Sequence, residues 1–153
     1  MSKGMVRVTN GGERGAGEVE GGLRGRVLVV DDDQVDRMAV RRLLADASDE
    51  VTVEEADGVL AAIEALAAAP FDCVVLDYNL PDGDGLTFLR GLRTAGLTVP
   101  VVILTGQDDD EVARDLMEAG AAAYLPKARS GSEILRATVA AAIRTGPSGG
   151  TGA

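Results

Sequence analysis

Four apolar runs in this chain of 153 residues end in side chains that can do chemistry. Val27–Val30 leads into Asp31, Asp32 and Asp33, and Val74–Leu76 into Asp77. Val101–Leu104 leads into Thr105 and Gly106, and Tyr124-Leu125-Pro126 into Lys127. The Asp77 stretch is the most telling. It passes from strand character to one carboxylate, then through a loop containing Asn79, Pro81, Asp82, Gly83 and Asp84, and resumes a helix pattern at Leu86. Desolvation disfavours an ionised carboxylate at the mouth of a buried strand. Asp77 is intelligible there as a nucleophilic oxygen or a metal ligand. Singly, the other groups have plain readings: a solvated helix start, a turn residue, a surface lysine. Their recurrence at successive strand ends is what calls for a common explanation.

The elements that must position these groups follow from hydrophobic periodicity. Val27–Val30, Cys73–Leu76 and Val101–Leu104 are continuous apolar runs, the pattern of parallel strands covered on both faces. Val51–Glu54 alternates as a second strand, and Ala121–Leu125 is a weak fifth. Between them, helices are expected from Gln34 to Ala47, with Ala39, Val40, Leu43, Leu44 and Ala47 on one stripe, and from Gly58 to Ala68, burying Val59, Ile63 and Leu66. A third helix is N-capped by Asp84 and carries Phe88, Leu92 and Ala95 inward. A fourth runs to Ala119 with Asp108–Glu111 on its first turn, where carboxylates favour the dipole, and Gly120 ends it. Ser132–Ile143 is the last. Five strands alternating with five helices predict an α/β doubly wound parallel sheet with helices on both faces, and such sheets bind ligands outside the carboxyl ends of their strands.

Composition narrows the function classes. Aromatic residues make up only 3% of the chain, so stacking surfaces for single-stranded nucleic acid are scarce. Residues 1–26 form a Gly-rich leader expected to be flexible, residues 27–143 one domain, and 144–153 a flexible tail. The domain holds nine basic and twenty-two acidic residues, a net charge of −13. It repels nucleic-acid phosphates and attracts divalent cations, so direct nucleic-acid binding is not expected. No apolar run approaches the roughly 20 residues of a membrane helix, and the first 26 residues lack a signal-peptide block, so a cytoplasmic location without membrane attachment is expected. Cys73 is the single cysteine and reads as a small core residue. There is no histidine, which excludes Ser-His-Asp and Cys-His hydrolases, His-ligated zinc and any phosphohistidine of the chain's own.

With these pieces in order, the chain resembles the receiver domain of two-component response regulators, the family of the chemotaxis Y protein. The resemblance rests on Val-Leu-Val-Val-Asp31-Asp32, on Val-Val-Leu-Asp77-Tyr-Asn79-Leu-Pro-Asp-Gly-Asp-Gly, on Ile-Leu-Thr105-Gly106, and on Tyr124-Leu-Pro-Lys127, spanning about 27–143. It implies a flavodoxin-like (βα)5 fold with strand order 2-1-3-4-5, and a phosphoprotein rather than a turnover enzyme. Asp77 is the phosphoacceptor by resemblance, receiving phosphate from a histidine kinase or histidine phosphotransfer protein. Mg2+ (or Mn2+) would be held by Asp32, Asp77, the Asn79 backbone carbonyl and, mainly through water, Asp31; Asp33 is not assigned to the metal. Lys127 would pair with Asp77 and then with a phosphoryl oxygen. Thr105 and Tyr124 would act as the switch, repositioning a surface made by helix four, strand five and helix five for an unidentified protein target, the chain being a monomer or weak homodimer.

Two departures stand out. Many receivers place proline directly after the lysine in a cis peptide, whereas Ala128 follows Lys127 here and Pro126 precedes it. A non-proline cis bond costs about 3–4 kcal/mol, so the Lys127–Ala128 bond is expected to be trans. Asn79 and Gln107 resemble family positions that tune dephosphorylation. Among competing readings, a hydrolase of the haloacid-dehalogenase type needs an acid two positions after its nucleophile, and Asn79 occupies that place. A calcium loop fails because Pro81 stands at its fifth position and no bidentate glutamate follows. A receiver-like scaffold that only dimerises would not need the intact set of acids, hydroxyl and amine.

Overall fold

A computed structural model describes residues 23–45, 50–106, 109–127 and 132–146. Its strands are β1 (Arg24–Val30), β2 (Glu50–Ala56), β3 (Cys73–Asp77), β4 (Asn79–Leu80), β5 (Gly83–Asp84), β6 (Val101–Thr105) and β7 (Ala123–Pro126). Its helices are α1 (Gln34–Leu44), α2 (Val59–Ala68), α3 (Gly85–Thr94), α4 (Asp110–Glu118) and α5 (Ser132–Thr145). Five strands form one parallel sheet in the order β2-β1-β3-β6-β7. With the small antiparallel pair β4-β5 set aside, this is the expected order 2-1-3-4-5.

Strand alternation divides the core in two. Leu28, Val30, Val74, Leu76, Val101 and Ile103 face the layer of α2, α3 and α4, where they meet Ala62, Phe88, Leu89, Leu92 and Leu116. Val27, Val29, Cys73, Val75, Val102 and Leu104 face α1 and α5, against Val40, Leu44, Leu135, Val139 and Ala142. Both faces of the three central strands are therefore dry, which is why their sequences read as unbroken apolar runs. Cys73 is wholly buried, and burial, with the charge of nearby Asp72, pushes its thiol up to about 12. It is an inert core residue.

Several boundaries differ from the sequence reading, each for a local reason. β1 begins at Arg24, inside the stretch assigned to the leader, because its first residues pair with β2 through charge rather than apolar contact. Arg24 is ion-paired with Glu50, Arg26 with Glu54, and the Arg26 guanidinium lies 5.2 Å from the Phe71 ring centroid. At the other end, α5 carries Arg144 and Thr145, residues placed in the tail. α1 stops at Leu44, since Ala45 is extended, and Ala39 is exposed. Ala95 follows α3 and is also exposed, Leu89 taking the inward place. The larger correction concerns α2. Ile63 is 47% exposed, and the inward stripe is Val59, Ala62 and Leu66. This helix is apolar almost all round, so its periodicity had little contrast to offer. The alanine faces the sheet and lets the helix approach closely. Residues 1–22, Ala47, Gln107, Asp108, Ala128 with its peptide bond to Lys127, and the tail from 147 lie outside the described residues.

The turn after β3 is tied down on both sides. Asp84 caps α3 by accepting from the Thr87 N–H at 2.8 Å. Gly58 caps α2 with no side chain of its own, and Asp82 supplies the missing acceptor, taking the Val59 N–H at 2.9 Å. A Cβ at Gly58 would lie only 3.0 Å from that carboxylate. The loop carrying Asn79 is thus held by two helix N-termini.

The corrected α2 stripe has a simple test. Ala62→Asp, at a wholly buried position of α2, is expected to cost about 3 kcal/mol or more in urea unfolding, whereas Ile63→Asp should cost no more than about 1 kcal/mol. The opposite ranking would reinstate the stripe read from the sequence.

Candidate functional site

Strand register collects the chemistry at one edge. Val30 aligns with Leu76, Asp77 with Leu104 and Thr105 with Pro126, so Asp31, Asp77, Thr105 and Lys127 all emerge where the parallel strands end. Backbone bonds carry the ladder past the strand ends: the Asp31 N–H donates to the Ala56 carbonyl and the Tyr78 N–H to that of Leu104. Parallel pairing gives every strand the same direction. That shared direction is what turns a scattered sequence pattern into one crevice.

Asp31 is 3% exposed, Asp77 7% and Thr105 2%, the only buried polar or charged residues among those described. One carboxylate oxygen from each of Asp31, Asp32 and Asp77 lies within 4.8 Å of the others. Asp32 is exposed, which leaves the group open to solvent on one side. Asp33 is employed elsewhere. Its carboxylate caps α1, accepting from the Val35 and Asp36 N–H groups at 2.8 and 3.3 Å, while its own N–H donates to Asp31 Oδ1 at 2.9 Å. The Arg37 guanidinium, paired with Glu55, also fixes this corner by donating to the Asp31 carbonyl at 2.7 Å.

Lys127 reaches into the acids from β7. Its Nζ lies 3.3 Å from Asp31 Oδ2, 3.4 Å from Asp77 Oδ1 and 3.0 Å from Asp36 Oδ2. Asp36 was not among the residues singled out from the sequence. It stands on the first turn of α1, and the only available signal was one more acid shortly after the triplet. Tyr124 is half-buried, and its hydroxyl accepts the Asp109 N–H at 3.1 Å, at the N-cap of α4. Asn79 is exposed and pairs with Asp84 in the β4-β5 ladder.

The electrostatics are lopsided. Burial, chiefly, raises the Asp77 pKa, and the Asp31 charge adds to it; Lys127 and the Asn79 backbone N–H pull the other way without prevailing. Burial also works against the Lys127 ammonium, but the hydrogen bond to Asp36 and the charges of Asp77, Asp31 and Asp36 outweigh it and raise its pKa. The two partners are compatible. Lys127 gains from three acids, whereas Asp77 receives a share of one cation and faces another acid. The donor set is all oxygen and strongly anionic, which suits magnesium or manganese better than a metal preferring nitrogen or sulfur.

Comparison with known proteins gives this geometry a context. A family model described as the response regulator receiver domain matches residues 27–139. The response regulator MprA of Mycolicibacterium vanbaalenii is 38% identical over 127 residues, covering 83% of this chain and 54% of that protein. The chain therefore spans about half the length of the curated relatives it matches. Among solved structures, the NarL signal receiver domain from Mycobacterium tuberculosis superposes with a TM-score of 0.72 at 30% identity, covering 79% of this chain and 97% of that one. The chemotaxis response regulator CheY4 of Vibrio cholerae gives 0.69 at 29% identity, covering 78% and 98%.

The raised pKa of Asp77 sets a pH dependence. Its proton binds more tightly in the folded than in the unfolded state, so the group's cost to stability is absent well below about pH 4. The cost grows as pH rises from the unfolded pKa toward the raised folded one and is fully present above the latter. In metal-free buffer, Asp77→Asn should therefore melt above wild type at neutral pH, the gap closing as the solution is acidified. A gap that widens on acidification would contradict the assignment.

Proposed function

The chain belongs to the response regulator receiver domain family of two-component signalling, and from that premise we propose that Asp77 is its phosphoacceptor. The donor is a phosphohistidine on a partner protein, a histidine kinase or a histidine phosphotransfer protein, since this chain has no histidine. In the transfer, an Asp77 carboxylate oxygen forms a bond to phosphorus as the P–N bond to the partner's ring breaks. The nitrogen keeps that electron pair and leaves as neutral imidazole, its second nitrogen carrying the proton. The observation that carries this reading is a buried carboxylate on the C-terminal end of β3, 3.4 Å from a lysine ammonium and grouped with two further acids.

The chain's own groups then have distinct parts. Asp77 is held by its strand and by the hydrogen bond from the Asn79 N–H, which limits the freedom its carboxylate must lose for in-line attack. Asp31, Asp32, Asp77 and the Asn79 backbone carbonyl would hold a divalent cation, magnesium or manganese, which when bound supplies neutralisation of phosphoryl charge. Lys127 follows the negative charge from the carboxylate to a phosphoryl oxygen. Thr105, buried at the end of β6, offers its hydroxyl to another oxygen of that group. Thr105 pairs in register with Pro126 of β7, the strand that also carries Tyr124, and the Tyr124 hydroxyl is bonded to the start of α4, so a change at Thr105 has a route along β7 to the surface of α4, β7 and α5. The output is a protein contact, and catalytic turnover forms no part of this reading.

Incubation with acetyl phosphate and magnesium should add one phosphate by intact mass, and Asp77→Asn should abolish the addition. Lys127→Ala should slow it by roughly 10-fold or more, the scale of a lost charge-assisted contact to a transferring group. Wild-type protein that stays unmodified, or steady release of inorganic phosphate from a generic phosphate ester, would defeat the proposal.

A further inference from the structure

Of the contacts of Lys127 with the three acids Asp31, Asp36 and Asp77, the one with Asp36 is the shortest, and none of the roles above accounts for it. A lysine ammonium has three N–H donors, and here three carboxylates surround it: Asp31, Asp77 and Asp36. Asp31 and Asp77 belong to the acid group suited to a cation; Asp36 does not. The distinction matters once positive charge enters the crevice. A divalent cation on Asp31 and Asp77 draws on the same oxygens that attract Lys127, and it repels the ammonium directly. Lys127 is on a flexible four-carbon stem with a side chain 31% exposed, so it has room to leave. Asp36, outside that acid group, remains available to the lysine. It sits on the rigid first turn of α1, where the Asp33 cap holds the backbone N–H of Asp36 itself.

We infer that Asp36 is a positioning residue, the anchor that keeps Lys127 in the crevice when a cation occupies the acid group. The inference rests on the phosphoacceptor reading for its purpose, but its physical content is the Asp36–Lys127 pair alone. By giving the ammonium a partner outside the acid group, Asp36 also reduces the hold of Lys127 on Asp31 and Asp77, leaving those carboxylates freer to bind a cation.

A double-mutant cycle read by magnesium binding tests this, with Asp36→Asn, Lys127→Met and the pair. Asp36→Asn is expected to weaken magnesium binding about three- to tenfold, the scale of one charge-assisted hydrogen bond, and Asp36→Glu to recover part of the loss. In the Lys127→Met background the same Asp36→Asn change should alter binding less than about twofold, because the lysine it acts through is gone. An undiminished effect there would mean that Asp36 acts as one more nearby charge, and would overturn the inference. A second readout follows the lysine itself. The Lys127 Cε resonance, labelled and followed by NMR at neutral pH in saturating magnesium, where Asp31 and Asp77 are engaged by the cation, should be ordered in wild type and in Asp36→Glu, and motionally averaged in Asp36→Asn. An unchanged resonance would likewise overturn it. Should wild type bind no magnesium, the cation site fails and the inference falls with it, whereas magnesium binding that ignores Asp36→Asn would defeat the inference alone.

Discussion

A carboxylate that its surroundings do not want ionised is the constraint from which the rest of this molecule follows. Asp77 lies at the end of a strand buried on both faces, beside a second buried acid, and the Lys127 ammonium beside it is shared with two other carboxylates. Hydrophobic burial of the sheet makes that position possible, and the same burial raises the acid's pKa. The site is under-compensated by construction. A cation or a group that spreads the negative charge relieves it, and that relief is free energy available for binding.

The architecture serves this imbalance. Parallel strands share a direction, so each strand's last side chain adds to one crevice, and helices on both faces keep water from everything but its mouth. Short-range devices then fix what the sheet brings together. Asp33 caps α1 and holds Asp36 in place, Arg37 grips the Asp31 carbonyl, and Asp82 and Asp84 pin the turn after β3 to two helix starts. None of these groups belongs to the reaction. Each removes freedom from one that does.

What the sequence disclosed, and what it withheld, divides along the same line. Continuous apolar runs ending in Asp31, Asp77 and Thr105 were legible because burial on both faces leaves a plain mark, and from them the doubly wound parallel sheet and the convergence of the site followed, while the strand order came from the family resemblance. The start of β1 was not legible, since Arg24 and Arg26 hold the strand through ion pairs that carry no hydrophobic period. The α2 stripe was misread because Leu60 and Ile63 are as apolar as the residues that face the sheet. Asp36 escaped notice for a third reason: its partner Lys127 stands 91 residues away, and nothing local distinguishes it from a solvated helix acid. Backbone pattern was readable; side-chain pairing across the fold was not.

The claim on which the account stands is that Asp31, Asp32 and Asp77 form a single site whose charge the described residues leave unbalanced. Thermal unfolding of metal-free protein, followed as magnesium chloride replaces sodium chloride at constant ionic strength, tests it most directly. The account predicts a midpoint that climbs with magnesium, approaching about 2.7 kcal/mol of added stability at a hundred times the dissociation constant, and a rise at least halved in Asp32→Asn. A wild-type midpoint indifferent to magnesium, or an equal rise in Asp32→Asn, would contradict it.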